Sequence, residues 1–370
     1  MDEKRFKDAL VFTGGGTGGH FFPAVALAEG ARARWPERPI AFIGAVRGIE
    51  GRKLPESAWP HLLFDVEGFL GRSPLKAARS AWKLWKAKRA LTMAWKRHRP
   101  WAVIGTGGYG AAPALLAARS LGIPYFLHES NAAPGALVKQ VAPGAKRVWC
   151  GMEAVKPLLP GADCLTVGTP VREAFRRPFK PIKDLRRPFQ LLVLGGSGGA
   201  RAINDGMLAA APALLEPFEE WTVLHQVGPK EFERLKDAPR HERHQLVPFI
   251  DDMAGAMEAS SLVVSRSGAS TCAELKVVGR GSILIPLPTS AHGHQLRNAE
   301  AMAKDHRAVL VQQQPNLADH IEAHCFSHMG NAYARVQLAQ KPEPNRAVEL
   351  CLDDLDEAMK GDSPQRRGGR

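Results

Sequence analysis

Two α/β domains of Rossmann-like type, each built on a mostly parallel sheet, are predicted for this 370-residue chain by three observations. An apolar run, Ala9-Leu10-Val11-Phe12, leads into the glycine turn Gly14-Gly15-Gly16-Thr17-Gly18-Gly19-His20 and then into the helix-forming stretch Pro23–Glu29. The same series returns about half a chain later, as Gln190–Leu194, Gly195-Gly196-Ser197-Gly198-Gly199-Ala200 and Arg201–Asn204. Between and beyond them, short apolar runs alternate with helical stretches, the pattern of a parallel sheet whose ligands collect at the carboxyl ends of its strands. The length is also more than one core usually fills, so two domains facing each other across a cleft is the economical account.

The first turn has several possible uses. Glycines let backbone N–H groups approach a ligand, and a helix N-terminus attracts an oxyanion. Gly14-x-Gly16-x-x-Gly19 fits a dinucleotide fingerprint, but Ile40-Ala41-Phe42-Ile43-Gly44 is not followed at its tip by the Asp or Glu that would hold a ribose. Arg47 could meet a 2′-phosphate there, which leaves an NADP-dependent oxidoreductase as a rival reading. The Gly-Lys-Ser/Thr of a P-loop is missing, Gly19-His20 standing in its place. A tight turn with no ligand is the plain alternative.

Further along, Trp101–Ile104 is a strand followed by the turn Gly105-Thr106-Gly107-Gly108-Tyr109-Gly110, the helix from Pro113, and the strand Ile123–Leu127 ending in His128-Glu129-Ser130-Asn131. His20, Thr106, Tyr109, His128, Glu129 and Asn131 should therefore line a cleft at one sheet edge. Val167–Arg172 reads as a crossover. Later strands are expected at Trp221–Gln226, Gln245–Phe249, Leu262–Ser265 and Ser282–Pro286. Ser265–Leu275 carries Thr271 and Glu274 in capping-box spacing, so Glu274 is either a cap or a carboxylate for ribose hydroxyls. Ser197 is likewise a cap or a phosphate donor. His292 and His294, without a Cys or acid nearby, fall short of a zinc site, and no metal is expected. The domains are drawn at 1–166 and 167–345, with a helix at 346–360 that returns to the first domain and a disordered tail at 361–370.

The formal charge of +13 favours anionic partners. Residues 72–99 hold ten lysines and arginines and no acid, together with Leu75, Trp82 and Trp85. Leu75, Ala78, Trp82 and Trp85 follow the spacing of one helical face, suited to lying in an anionic membrane interface; the alternative is a solvated basic helix packed on a sheet. No zinc-finger, RNP-like or KH-like pattern supports nucleic acid. Neither a signal peptide nor a spanning run is present, so a cytosolic protein is expected, with reduced and mostly buried cysteines at five scattered positions.

Taken in order and spacing, Gly15-Gly16-Thr17-Gly18-Gly19-His20-x-x-Pro23-Ala24, Gly105–Tyr109, His128–Asn131, Gly168–Arg172, Gly195–Ala200, Ser265–Ala269 and Gln295-x-x-Asn298-Ala299 resemble the MurG family. These are the bacterial UDP-N-acetylglucosamine:undecaprenyl-pyrophosphoryl-MurNAc-pentapeptide N-acetylglucosaminyltransferases, and the resemblance spans nearly the whole chain. It implies a GT-B fold, an inverting transfer from UDP-GlcNAc to lipid I giving lipid II, no cofactor, and a peripheral location at the cytoplasmic face of the membrane. By the same resemblance Arg172 and Ser197 contact the diphosphate, Phe249 and Ile250 the uracil, and Met253, Ser270 and Thr271 neighbouring groups. Glu274 takes the ribose and Gln295 the sugar, while Thr17, Gly18 and Asn131 are counted with the donor. On the acceptor side fall His20, Tyr109, Glu129 and again Asn131, with Gly16, Gly19, Thr106, Gly107 and His128. Ser130, Thr169 and Gly199 replace the Gln, Asn and Gln usual in the family, and an acid is usual near His292.

Displacing UDP needs charge stabilised on the diphosphate, which helix N-termini with Arg and Ser can supply. The attacking hydroxyl needs a base; His20 has a suitable intrinsic pKa, and Glu129 is its competitor. Another GT-B lipid glycosyltransferase, acting for example on diacylglycerol, is the nearest alternative, and a non-catalytic membrane-bound nucleotide-binding module a more distant one.

Overall fold

The computed structural model describes residues 3–68, 73–182, 188–196, 198–290 and 293–360. Ser197, His292 and the 361–370 tail lie outside them. The chain divides into two units, one holding the described residues up to Glu173 together with those from Asn345 on, the other Ala174–Pro344.

The first unit contains β1 (Leu10–Thr13), α1 (Gly18–Arg34), β2 (Ile40–Ala45), α2 (Glu50–Lys53), β3 (His61–Phe64), α3 (Pro74–Arg97), β4 (Ala102–Gly105), α4 (Ala112–Leu121), β5 (Tyr125–Glu129), α5 (Ala136–Val141), β6 (Arg147–Cys150) and β7 (Cys164–Thr166). The strands form one parallel sheet in the order β3-β2-β1-β4-β5-β6-β7. Alternate side chains leave opposite faces. Val11, Ile43, Val103 and Leu127 pack beneath Leu91 and Trp95 of α3 and Leu115 of α4. On the other face Leu10, Phe12, Phe126 and Trp149 meet Leu27 of α1.

The second unit contains β8 (Phe189–Leu194), α6 (Arg201–Leu215), β9 (Trp221–Gln226), α7 (Pro229–Leu235), β10 (His244–Val247), α8 (Met253–Ala259), β11 (Leu262–Ser265), α9 (Ala269–Val278), β12 (Ser282–Leu284), α10 (His294–Lys304), β13 (Ala308–Leu310), α11 (Leu317–Gly330) and α12 (Ala332–Leu338). Its parallel sheet runs β10-β9-β8-β11-β12-β13, with one face covered by Ile203 and Met207 of α6 and Ile321 and Cys325 of α11. In each sheet the chain leaves the first strand toward one side and later returns to its other side. β1 and β8 therefore border a switch point, where a parallel α/β sheet leaves a crevice beyond its carboxyl edge.

After the second unit, α13 (Ala347–Lys360) lies on the first. Val348, Cys351, Leu352 and Leu355 join the core around Leu10 and Phe12. Asp354 accepts from the Trp149 indole at 2.7 Å and pairs with Arg147 at 3.0 Å, while Arg34 of α1 reaches Asp353 and Asp356. Val167–Arg172 groups with the first unit as well, so the division falls at Glu173. The cause is local bonding: His128 Nε2–H donates to the Gly168 carbonyl at 2.9 Å, Asn345 Nδ2 to that of Thr169 at 3.0 Å, and the Arg172 guanidinium lies over the Phe22 ring.

Candidate active site

At the carboxyl edge of β1, α1 begins at Gly18, well before Pro23, so His20 sits in the first helical turn. Thr17 is the N-cap but makes no capping bond with its side chain; its Oγ1 lies 3.2 Å from His20 Nδ1 instead. Thr106 is buried and fixes this turn from β4, its hydroxyl donating to the His20 carbonyl at 2.6 Å and its N–H to the Thr13 carbonyl at 2.9 Å. The His20 ring rests on Gly107 and Gly108: a Cβ added at Gly107 would come 3.1 Å from its Cδ2. The Tyr109 ring covers Gly16 in the same close manner. Gly16, Thr17, Gly18, Gly19, His20, Thr106, Gly107 and Tyr109 thus come together at one edge, half-buried or buried except for the exposed Thr17.

A residue absent from the sequence reading holds this turn from beneath. Glu50, fully buried, accepts the Gly16 N–H on both carboxylate oxygens, at 3.1 and 2.9 Å, and the Ala45 N–H at 3.1 Å. Burial raises its pKa, and the N–H groups of Gly16, Glu50 itself and Ala45 oppose the rise.

The strand β5 delivers the next group. His128 is buried, its Nε2–H committed to the Gly168 carbonyl, so Nδ1 accepts from the Ser130 hydroxyl at 3.1 Å. Burial brings its pKa down to about 4, which leaves it neutral and makes it a tether. Ser130, where the family usually has Gln, serves that tether. Glu129 accepts from the backbone and side-chain amides of Asn131, both at 3.0 Å, and from the Gly135 N–H at 3.0 Å, which closes the loop after β5. Arg47, the candidate for a 2′-phosphate, instead pairs with Glu67 at 3.1 Å and Asp65 at 3.5 Å, where its charge is already answered.

In the second unit the turn after β8 has Gly199 at φ +79°, and an added Cβ would fall 2.0 Å from the Val227 carbonyl oxygen. A longer residue is excluded from this backbone arrangement, which accounts for glycine where the family usually has Gln. Gln226, also missed in the sequence, is buried beside it. Its Nε2 donates to the Gly196 carbonyl at 3.3 Å and its Oε1 accepts from the Ile250 N–H at 2.9 Å, joining the glycine turn to the Phe249–Ile250 segment. Below the turn, Asn204 Nδ2 donates to the Val227 carbonyl at 3.0 Å, and its Oδ1 faces His225 Nε2 at 3.1 Å. That oxygen can only accept, so His225 carries its proton on Nε2 and takes the His244 Nε2–H on Nδ1 at 3.2 Å. His244 Nδ1 is left buried without a partner.

Met253 opens α8, whose N-cap Asp252 accepts from the Gly255 N–H at 2.8 Å. Ser270, Thr271 and Glu274 lie in the first two turns of α9. The capping box expected of Thr271 and Glu274 does not form: the helix starts at Ala269 after Gly268, which puts both residues inside it. Glu274 is only 5% exposed. The Ser270 hydroxyl is buried without a hydrogen-bond partner. Gln295, in the first turn of α10, accepts the Leu287 N–H at 2.9 Å, and its carbonyl accepts from the Ser267 hydroxyl at 2.8 Å. The residues around β8, β10, β11 and β12 therefore collect at the carboxyl edge of the second sheet.

On α3, the buried stripe is Ser80, Ala87, Leu91, Ala94 and Trp95. Leu75, Trp82 and Trp85 point outward, 83%, 58% and 54% exposed, with Lys86 over the Trp82 ring and Arg89 over that of Trp85. The basic stretch is partly answered from outside itself, because Lys83 pairs with Asp65 at 2.7 Å and Glu67 at 2.8 Å. All five cysteines are free and only Cys164 is not buried.

Two parallel α/β units, each with a glycine turn at its switch point, have the GT-B architecture, and both halves match glycosyltransferase family 28, which makes the chain a GT-B glycosyltransferase. The glycosyltransferase family 28 N-terminal domain matches residues 10–150, and the family 28 C-terminal domain residues 190–338. More narrowly, the chain belongs to the family of UDP-N-acetylglucosamine–N-acetylmuramyl-(pentapeptide) pyrophosphoryl-undecaprenol N-acetylglucosamine transferases. A relative of that description from Syntrophotalea carbinolica is 41% identical over 82% of this chain and 85% of its own length. Another, from Geobacter sulfurreducens, is 35% identical over 94% and 97%. The crystal structure of Acinetobacter baumannii MurG superposes with a TM-score of 0.69 at 29% identity, covering 95% of this chain and 99% of that one.

Proposed function

We propose that this chain transfers N-acetylglucosamine from UDP-N-acetylglucosamine to undecaprenyl-pyrophosphoryl-MurNAc-pentapeptide, giving lipid II for peptidoglycan. The observation that carries the reading is the 41% identity, over most of both chains, to a transferase of that description. The NADP reading loses its candidate for the 2′-phosphate, since Arg47 is paired with Glu67 and Asp65.

In the proposed mechanism the second unit takes the donor. Phe249 and Ile250 receive the uracil, with Met253, Ser270 and Thr271 beside it, Glu274 the ribose hydroxyls, and Gln295 the sugar. Glu274 is buried inside α9 and does not cap it. The turn 195–199 and Arg172 stabilise the charge that grows on the leaving diphosphate. The acceptor lies along the 14–20 and 105–110 turns, and His20 takes the proton from its attacking hydroxyl. Thr17, in contact with His20 Nδ1, orients the ring so that Nε2 serves as the base. Glu129 shapes the loop that carries Asn131. The outward face of α3 rests on an anionic membrane surface, tryptophans among the headgroups, and holds the enzyme peripherally at the cytoplasmic leaflet; among the described residues no helix is long and apolar enough to cross the bilayer.

The test is turnover of purified protein with UDP-N-acetylglucosamine and a short-chain lipid I analogue, reading UDP release and the disaccharide product. Failure of this acceptor, with transfer to diacylglycerol or with protection by NADPH alone, would overturn the reading.

A further inference from the structure

The buried carboxylate of Glu50 has no counter-charge, since among the described residues no ion pair reaches it. A carboxylate moved out of water without a cation carries a desolvation cost that an apolar side chain filling the same space would not. The surroundings are nevertheless shaped to admit it. An added Cβ would fall 2.2 Å from the Glu50 carboxylate at Gly15, 2.1 Å at Gly48 and 2.7 Å at Gly110, and 2.6 Å from its Cγ at Gly44. Four glycines from three separate segments thus open a socket for one side chain, and what the side chain does there is hold the Gly16 N–H with both oxygens.

From Gly16 the connection to the reacting edge is short. Thr17 follows directly, its carbonyl accepts the His20 N–H at 3.2 Å, and its hydroxyl touches His20 Nδ1. We infer that Glu50 is a positioning residue for the glycosyl transfer: by fixing Gly16 it sets the first glycine turn and, through Thr17, the direction of the His20 imidazole. Glu50 also occupies an N–H group that would otherwise face a ligand, so the diphosphate of the acceptor must use other donors of the turn. The inference rests on the transferase reading above, and in particular on His20 as base.

The test is Glu50→Gln in the full chain. The substitution keeps the shape, but with Gly16 N within bonding distance of both oxygens, either amide orientation sets an NH₂ donor against that N–H. The variant should bind UDP-N-acetylglucosamine with the parental Kd by calorimetry while kcat per donor-binding molecule falls about 10²-fold, the usual loss for a reacting group displaced by about 1 Å. A residue that only stabilised the fold would lower the melting temperature and leave kcat per folded molecule unchanged, and that result overturns the inference. If Glu50→Gln does not fold, Gly44→Ala is expected to give the same split between Kd and kcat, because its methyl group displaces the Glu50 Cγ; parental kcat in folded Gly44→Ala likewise counts against the idea. A parent protein that transfers nothing to the lipid I analogue would sink the transferase reading, an outcome separable from either of these.

Discussion

Acidification should loosen the second unit through the histidine relay beneath its glycine turn. Burial lowers the pKa of His225 to about 3, with the neighbouring His244 adding to the fall, and that of His244 to about 4, with Arg240 and His241 adding to it. In the unfolded chain both return to about 6.5. The folded values are the depressed ones, so the unfolded state binds more protons below about pH 6.5. Stability is therefore fully present above that value and is lost as pH falls toward the folded values. At about pH 5 each histidine costs about 2 kcal/mol, and the pair about 4 kcal/mol, against a total of about 5–15 kcal/mol for a typical domain. Exposed carboxylates remain ionised at that pH and contribute little. The assay is native-state hydrogen exchange of the β9 and β10 amides in the full chain at about pH 7.5 and about pH 5, corrected for intrinsic rates. An opening free energy that changes by less than about 1 kcal/mol between the two conditions would refute the reasoning. The same pH loss in a His225→Gln/His244→Gln protein would refute it too. Because the relay ends on the Val227 carbonyl, against which Gly199 is packed, donor affinity should decline over the same range.

Three further outcomes are expected. His20→Ala should lower kcat by about 10²–10⁴ with little change in donor Kd; if His20→Asn is nearly fully active while Glu129→Gln is dead, Glu129 is the base. Glu274→Ala should weaken UDP-N-acetylglucosamine binding by about 1.5–3 kcal/mol, roughly 10- to 150-fold in a calorimetric Kd, and an unchanged Kd in folded protein would remove Glu274 from the donor site. Replacing Trp82 and Trp85 with serine should reduce partition to anionic vesicles and spare activity on a soluble acceptor; equal vesicle binding by variant and parent would contradict membrane contact.

The central strands could be read in the sequence because burial on both faces leaves near-continuous apolar runs, as in Leu10–Phe12 and Leu191–Leu194. The edge strands β3, β7 and β13, and β6 next to one edge, could not, since His61–Phe64 is only half-buried, Cys164–Thr166 alternates within three residues, Ala308–Leu310 is no longer, and Arg147–Cys150 is a four-residue run that opens on an arginine. The glycine turns and their flanking histidine, glutamates and serines announced themselves by spacing. Glu50 and Gln226 did not, because their partners come from segments far apart in the chain and no local pattern marks them. Thr271 and Glu274 misled for the opposite reason: a local pattern matched, but Cys272 N–H already bonds the Gly268 carbonyl at 2.9 Å, which starts the helix earlier.

The return of α13 to the first unit bears on how the protein is made. Everything from Ala174 to Pro344 is a continuous insertion, and its sheet needs no residue from outside that range. The first unit, by contrast, lacks part of the core around Leu10, Phe12, Leu27 and Trp149 until Val348, Cys351, Leu352 and Leu355 arrive. During synthesis from the N-terminus, domains usually close in the order in which they emerge. Here the order is inverted: the half translated first is the last to be completed. It must wait through the translation of the whole second unit with that core incomplete, and that interval is when a nascent chain of this design is most in need of a chaperone.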